Sequence, residues 1–178
     1  MTELAREYGE GLYALATEEA LEERLLEETG ALLGIFREQP DFLRLLGNLS
    51  LPKEERLSIL DGALRGQVHP YLLNFLKLLC ERGAIHEYAG CADAYRQLYN
   101  HSHGIVEAQV TTSVPLTDAQ RRSLTERLKQ MTGKAVQLRE RIDTAVMGGV
   151  VLEMDGKRYD NSVATRLENI RRVISGQA

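Results

Sequence analysis

Residues Asp143–Ile174, DTAVMGGVVLEMDGKRYDNSVATRLENIRRVI, hold the most specific pattern in the chain. Gly148-Gly149 leads directly into Val150-Val151-Leu152, so the backbone can turn or approach closely just before an apolar strand. Asp155-Gly156 supplies the two positive φ values of a tight type I′ turn, and Lys157 to Tyr159 make the short return strand of a hairpin. Asp160-Asn161-Ser162 then starts a helix. The Ser162 hydroxyl can accept an orphan N–H of the first turn, and Asn161 tolerates the left-handed conformation nearly as well as glycine. Val163, Leu167, Ile170 and Ile174 form one apolar stripe along that helix.

Working back toward the N-terminus, residues 104–142 hold two stretches that alternate with a period of two, separated by a helix. Val106, Ala108 and Val110 alternate with Glu107, Gln109 and Thr111, which predicts a half-buried strand ended by Pro115. Thr117-Asp118-Ala119-Gln120 reads as a capping box; the helix it opens points Leu124 and Leu128 inward and stops at Gly133. Val136, Leu138 and Ile142 alternate as the next strand. Together with the hairpin and last helix these make a small α/β module.

From Glu3 to about His103 the period is helical throughout, broken at Pro40, Gly47, Pro52, Gly66, Pro70, Gly83 and Gly104. Six helices are predicted. The first, about 3–17, places Leu4, Tyr8, Leu12 and Leu15 on one face, with Gly11 and Ala14 on its flank. Gly9 and Gly11 each cost roughly 1 kcal/mol against alanine inside a helix, so close approach of another helix should compensate. In the fifth, about Pro70 to Arg82, the apolar residues Leu72, Leu73, Phe75, Leu76, Leu78, Leu79 and Cys80 cover roughly 220° of the circle, whereas one core contact needs little more than about 100°. Such a helix is either central to its own bundle or lines a partner groove. The sixth, about Ile85 to His101, turns Tyr88, Cys91, Ala92, Tyr95 and Leu98 inward. The fold class is therefore α+β: a six-helix bundle over residues 1–103, then an α/β module over 104–178.

Composition narrows the function. Across 178 residues, 43% are apolar, which is ordinary for a folded chain of one domain or two small ones. No apolar run approaches the roughly 18 residues of a membrane span, and the opening MTELAREYGEG is acidic, unlike a signal or transit peptide, so a cytosolic protein is expected. Residues 1–103 hold 17 acids and 10 bases, net −7, and residues 104–178 hold 9 acids and 12 bases, net +3; the two halves should prefer different partners. Cys80 and Cys91 lie in helical apolar surroundings without a CxxC pattern and read as reduced buried thiols.

The residues that could carry chemistry do not assemble. Thr132-Gly133-Lys134 resembles the end of a phosphate-binding loop, but Leu128 stands where the first glycine is required and Ala135 where Ser or Thr is. His101-Ser102-His103 lacks a third metal ligand at sensible spacing. No Ser/His/Asp or Cys/His set has support, so neither an active site nor a cofactor is expected. A nucleic-acid adaptor using the basic module, or a small-ligand sensor near Gly148-Gly149, remains open, although the strands offer almost no aromatics beyond Tyr159.

The C-terminal string resembles the signature of the delta subunit of F-type ATP synthases, the family of the mitochondrial oligomycin-sensitivity-conferring protein. Met147-Gly148-Gly149-Val150 and Asp160-Asn161-Ser162-Val163 occupy the family's double-glycine and Asp-Gly-Ser positions. Thr144 stands where proline is common and Asn161 replaces the glycine; both keep the backbone logic. Leu4 to Ala16, LAREYGEGLYALA, is similar to the family's opening helix. The resemblance implies a non-catalytic stator subunit, one copy per complex, peripheral on the cytoplasmic face of a bacterial membrane and not inserted in it. It implies that the helical domain caps the catalytic head through a groove between the first and fifth helices that receives an N-terminal helix of an alpha subunit, with Tyr8, Gly11, Phe75 and Leu78 as contacts. It also implies that the C-terminal module grips the b subunits of the peripheral stalk through Met147, Gly148, Gly149, Val163, Leu167, Ile170 and Ile174. If Phe75 faces that partner, its ring is expected to be exposed in the free protein.

Overall fold

The computed structural model describes residues 1–146, 148–154 and 156–160. It is an α+β protein, with seven α-helices and a four-stranded mixed sheet among the described residues. Backbone contacts divide the chain into two compact units, 1–99 and 100–178.

The first unit contains α1 (Glu3–Glu18), α2 (Glu22–Glu38), α3 (Pro40–Gly47), α4 (Lys53–Leu64), α5 (Pro70–Glu81), a 3-10 turn at Ile85–Glu87, and most of α6 (Tyr88–Ser102). Local chemistry sets the ends. The Thr2 hydroxyl caps α1 by accepting from the Ala5 N–H at 3.1 Å, and a second bond, to Glu87 at 2.7 Å, ties that cap to the turn before α6. Proline opens both α3 and α5, where its missing N–H costs nothing. His69 caps α5, its Nδ1 accepting from Tyr71 N–H, while its own N–H donates to Glu28 of α2 at 2.7 Å.

One apolar core runs through all six helices, with Leu25, Leu32, Leu46, Leu60, Leu72, Leu76, Leu79, Tyr88 and Tyr95 essentially sealed from solvent. Each buried leucine contributes about 2 kcal/mol of transfer free energy. The two buried tyrosines keep their hydroxyls satisfied: Tyr88 donates to the Thr29 carbonyl at 3.0 Å and Tyr95 to the Glu22 carbonyl at 2.9 Å, both on α2.

α1 departs from the expected arrangement. The residues it buries are Ala5, Gly9, Leu12 and Ala16, so of the expected face of Leu4, Tyr8, Leu12 and Leu15 only Leu12 is fully buried. Small side chains let α1 and α6 approach: a β-carbon on Gly90 would come within 2.7 Å of the Ala5 Cβ. Gly9 thus has the close helix crossing expected of it, whereas a β-carbon on Gly11 would meet nothing within 4 Å.

Arg56 of α4 is only 4% exposed, and its Nη1 donates to the Leu46 carbonyl at 3.1 Å and the Cys80 carbonyl at 2.9 Å. It therefore closes the C-terminal ends of α3 and α5, where unpaired carbonyls carry partial negative charge. The Cys80 thiol donates to the same Leu46 carbonyl at 3.4 Å. Both cysteines are free and buried, as expected. Burial raises the Cys80 pKa and pushes that of Cys91 up to about 11.

The second unit comprises β1 (Ile105–Thr112), α7 (Asp118–Thr132), β2 (Ala135–Ile142), β3 (Val150–Met154) and β4 (Lys157–Asp160), with strand order β2-β1-β3-β4. β1 runs parallel to β2, joined through α7, and antiparallel to β3. Register places Val106 beside Val136 and Ala108 between Leu138 and Met154. Leu124 and Leu128 of α7 cover that face. The capping box forms as read: Thr117 accepts from the Gln120 N–H, and Gln120 accepts from the Thr117 N–H at 2.9 Å. Gly133 ends α7 in the left-handed region, φ 67°, which makes Thr132-Gly133-Lys134 a helix C-cap. Ile142 lies on β2 as expected but is 56% exposed, at the C-terminal end of an edge strand.

Candidate functional site

Between α1 and α5 the surface opens into a groove of about 580 Å³. α1 contributes Leu4, Glu7, Tyr8, Gly11, Leu12 and Leu15; α5 contributes Tyr71, Asn74, Phe75 and Leu78. The two helices run antiparallel along it, since Tyr8 meets Phe75 edge-on (ring centroids 6.4 Å apart, planes at 65°) while Glu19, just past the end of α1, interacts with Tyr71 at the start of α5. That carboxylate raises the Tyr71 pKa above its ordinary value.

All four of the expected groove residues line this one feature, on two helices more than fifty residues apart in sequence. Their exposures differ. Leu78 is 39% exposed, Leu4 41%, and Gly11 lies open, so these form the accessible wall. Phe75 is 8% exposed, so the exposed ring expected of a partner contact is not found: it is the floor, wedged under Tyr8 and continuous with the core. The wide apolar arc of α5 serves both purposes, since Leu72, Leu76 and Leu79 face the core while Leu78 faces the groove. Leu4, Leu12, Leu15 and Tyr71 were not chosen as lining residues from the sequence. The i, i+4, i+8, i+11 spacing of Leu4, Tyr8, Leu12 and Leu15 was the available signal for three of them.

In the second unit, Gly148 and Gly149 both adopt positive φ, 87° and 88°, at the entry to β3. This is the conformation for which glycine was expected there. β3 and β4 form the hairpin with a two-residue connection, and Gly156 has φ 72°. Beside that hairpin, Leu124, Met131, Leu152 and Tyr159 line a smaller hollow of about 430 Å³ at α7. Met147, Val163, Leu167, Ile170 and Ile174, and the final helix expected to carry the last four, lie outside the described residues.

Among the described residues there is no group of three or more His, Cys, Asp or Glu able to hold a metal, and no helix long and apolar enough to cross a membrane.

Residues 4–174 match the family model described as ATP synthase delta (OSCP) subunit. The chain belongs to that family. It is 35% identical over 164 residues to ATP synthase subunit delta of Synechococcus elongatus, covering 92% of this chain and 91% of that one. It is 30% identical over 172 residues to the subunit of the same name from Lactiplantibacillus plantarum, covering 96% and 94%. Its fold resembles a chain in the cryo-EM structure of the Toxoplasma gondii mitochondrial ATP synthase hexamer, with TM-score 0.77, 18% identity, and coverage of 97% and 98%. Membership supports neither the nucleic-acid adaptor nor the ligand sensor.

Proposed function

We propose that this delta-family chain is a non-catalytic stator subunit of a rotary F-type ATP synthase. Its helical part, residues 1–103 as a six-helix bundle, binds the alpha/beta catalytic head. Its α/β part, residues 104–178, binds the b subunits of the peripheral stalk. One copy serves each complex, held peripherally on the cytoplasmic face of the membrane. Rotor torque during proton-driven synthesis would turn the head unless it is tied to the membrane sector by contacts that stay closed under load. A nanomolar contact corresponds to roughly 12 kcal/mol, within reach of an amphipathic helix laid in a preformed apolar groove.

The observation that carries the reading is the open groove between α1 and α5 in a chain of this family. Its occupant is an N-terminal helix of an alpha subunit. The deciding experiment titrates the full chain with a synthetic peptide of that alpha-subunit N-terminus. Saturable binding that is lost in Gly11→Leu, with folding retained, supports the groove; equal binding by wild type and variant overturns it. For the stalk, a chain truncated after Gly133 should no longer bind the b subunits, and normal binding by that truncation would refute the assignment.

A further inference from the structure

Resting on the groove reading above, we infer that the helix seated between α1 and α5 carries a lysine or arginine that pairs with Glu7. The groove wall is apolar except for Glu7, Asn74 and the hydroxyls of Tyr8 and Tyr71, and no cationic side chain lines it. Among the described residues Glu7 makes no hydrogen bond or ion pair within the protein. The cations nearest in sequence are already engaged: Arg6 faces Glu3 at 3.7 Å and Glu10 at 4.0 Å, and Lys77 is paired with Asp61 of α4. α1 carries four glutamates against one arginine, and Glu19 adds its charge beside Tyr71 at the far end. Among the described residues no cation lines this wall to offset that charge.

A helix that fills the groove removes water from Glu7. A carboxylate desolvated without a partner opposes binding, whereas a cation placed against it recovers the lost hydration and fixes the register of the incoming helix. The occupant is therefore amphipathic with a basic flank, complementary to the acidic half of this chain.

The test measures fluorescence anisotropy of a labelled alpha-subunit N-terminal peptide with the full chain, its Glu7→Gln and Glu7→Lys variants, and Gly11→Leu as the control for the groove. Expected are a loss of about three- to tenfold for Glu7→Gln at low salt and a larger loss for Glu7→Lys. The difference should shrink as added salt shortens the screening length below about 10 Å. One Lys→Gln or Arg→Gln change in the peptide should reproduce the loss and add nothing further against Glu7→Gln. If Gly11→Leu abolishes binding while Glu7→Gln binds like wild type, or if no peptide cation couples to Glu7, the groove stands and the charge pairing is overturned. If Gly11→Leu binds normally, the groove reading itself fails and takes this inference with it.

Discussion

Gly9 of α1 lies so close to α6 that a β-carbon placed on it would sit 2.6 Å from the Ala94 Cβ and 2.7 Å from the Cys91 carbonyl oxygen. Two residues further on, Gly11 faces open space. Two glycines of one helix thus do opposite jobs. Gly9→Ala should destabilise the protein by about 1–3 kcal/mol, because overpacking against a backbone carbonyl outweighs the roughly 1 kcal/mol gained in helix propensity. Gly11→Ala should stabilise it by about 0.5–1 kcal/mol. Urea titrations of both variants check the opposite signs; equal shifts would contradict the crossing.

Phe75 and Leu78 separate folding from binding. Phe75→Asp would place an unpaired carboxylate under Tyr8 at the edge of the core and should unfold the helical unit or nearly so, since the cost of several kcal/mol approaches a small domain's whole stability. Leu78→Asp, on the exposed wall, should shift stability by less than about 1 kcal/mol and weaken alpha-peptide binding at least tenfold. Circular dichroism melts and the peptide titration together distinguish the two.

Arg56 holds two helix ends with one side chain. Arg56→Ala should cost about 2–4 kcal/mol, because it opens a cavity and removes the guanidinium from two buried carbonyls, leaving Leu46 with the weak Cys80 thiol donor and Cys80 with the Gly83 N–H. Arg56→Lys should recover part of this, having a donor but not the planar fork. Equilibrium unfolding gives the ranking wild type, Lys, Ala.

Acid should loosen two ion-paired carboxylates. Lys77, with Arg65, holds the Asp61 pKa below its ordinary value against the opposing effect of burial, and Arg121 does the same for Glu140. A depressed folded-state pKa means that the unfolded chain binds the proton first. The stabilisation is therefore complete above the usual carboxylate range, about pH 4–4.5, and is lost as pH falls through the lower folded values. Thermal melts between pH 7 and pH 3 should show the decline, and Asp61→Asn should make it shallower while lowering the plateau near neutrality.

The raised thiol pKa values make both cysteines slow to react. At pH 8 Cys91, pushed to about 11, is thiolate in only about one molecule in a thousand, and both sulfurs are buried. A thiol-specific reagent should label neither in the native protein and both after unfolding. Prompt labelling of either would show local opening of α5 or α6.

Much of the local structure was legible because its causes are local. The capping box at Thr117, the left-handed stop at Gly133, the double glycine before Val150 and the alternation of β1 each depend on the conformational limits of a few adjacent residues, and each forms as read. Proline or glycine marked most helix bounds, but not the turn between α1 and α2, where Ala20 takes the positive φ. The second-unit strands were visible as segments, but their order was not, since whether β1 pairs with β2 or β3 depends on contacts between residues tens of positions apart.

The amino-acid sequence by itself determined which segments are helix and strand, which residues are apolar, and the family to which the chain belongs. Tertiary structure decided which apolar face each helix buries. On α1 the larger residues Leu4, Tyr8 and Leu15 had the stronger claim by hydrophobicity, yet Ala5, Gly9 and Ala16 share the core with Leu12, because Ala5 and Gly9 let α6 come within backbone contact. That choice left the larger side chains facing α5, and so made the groove. Periodicity shows that a helix has an apolar face; only the shape of its neighbours shows whether that face is closed against the core or left open to a partner.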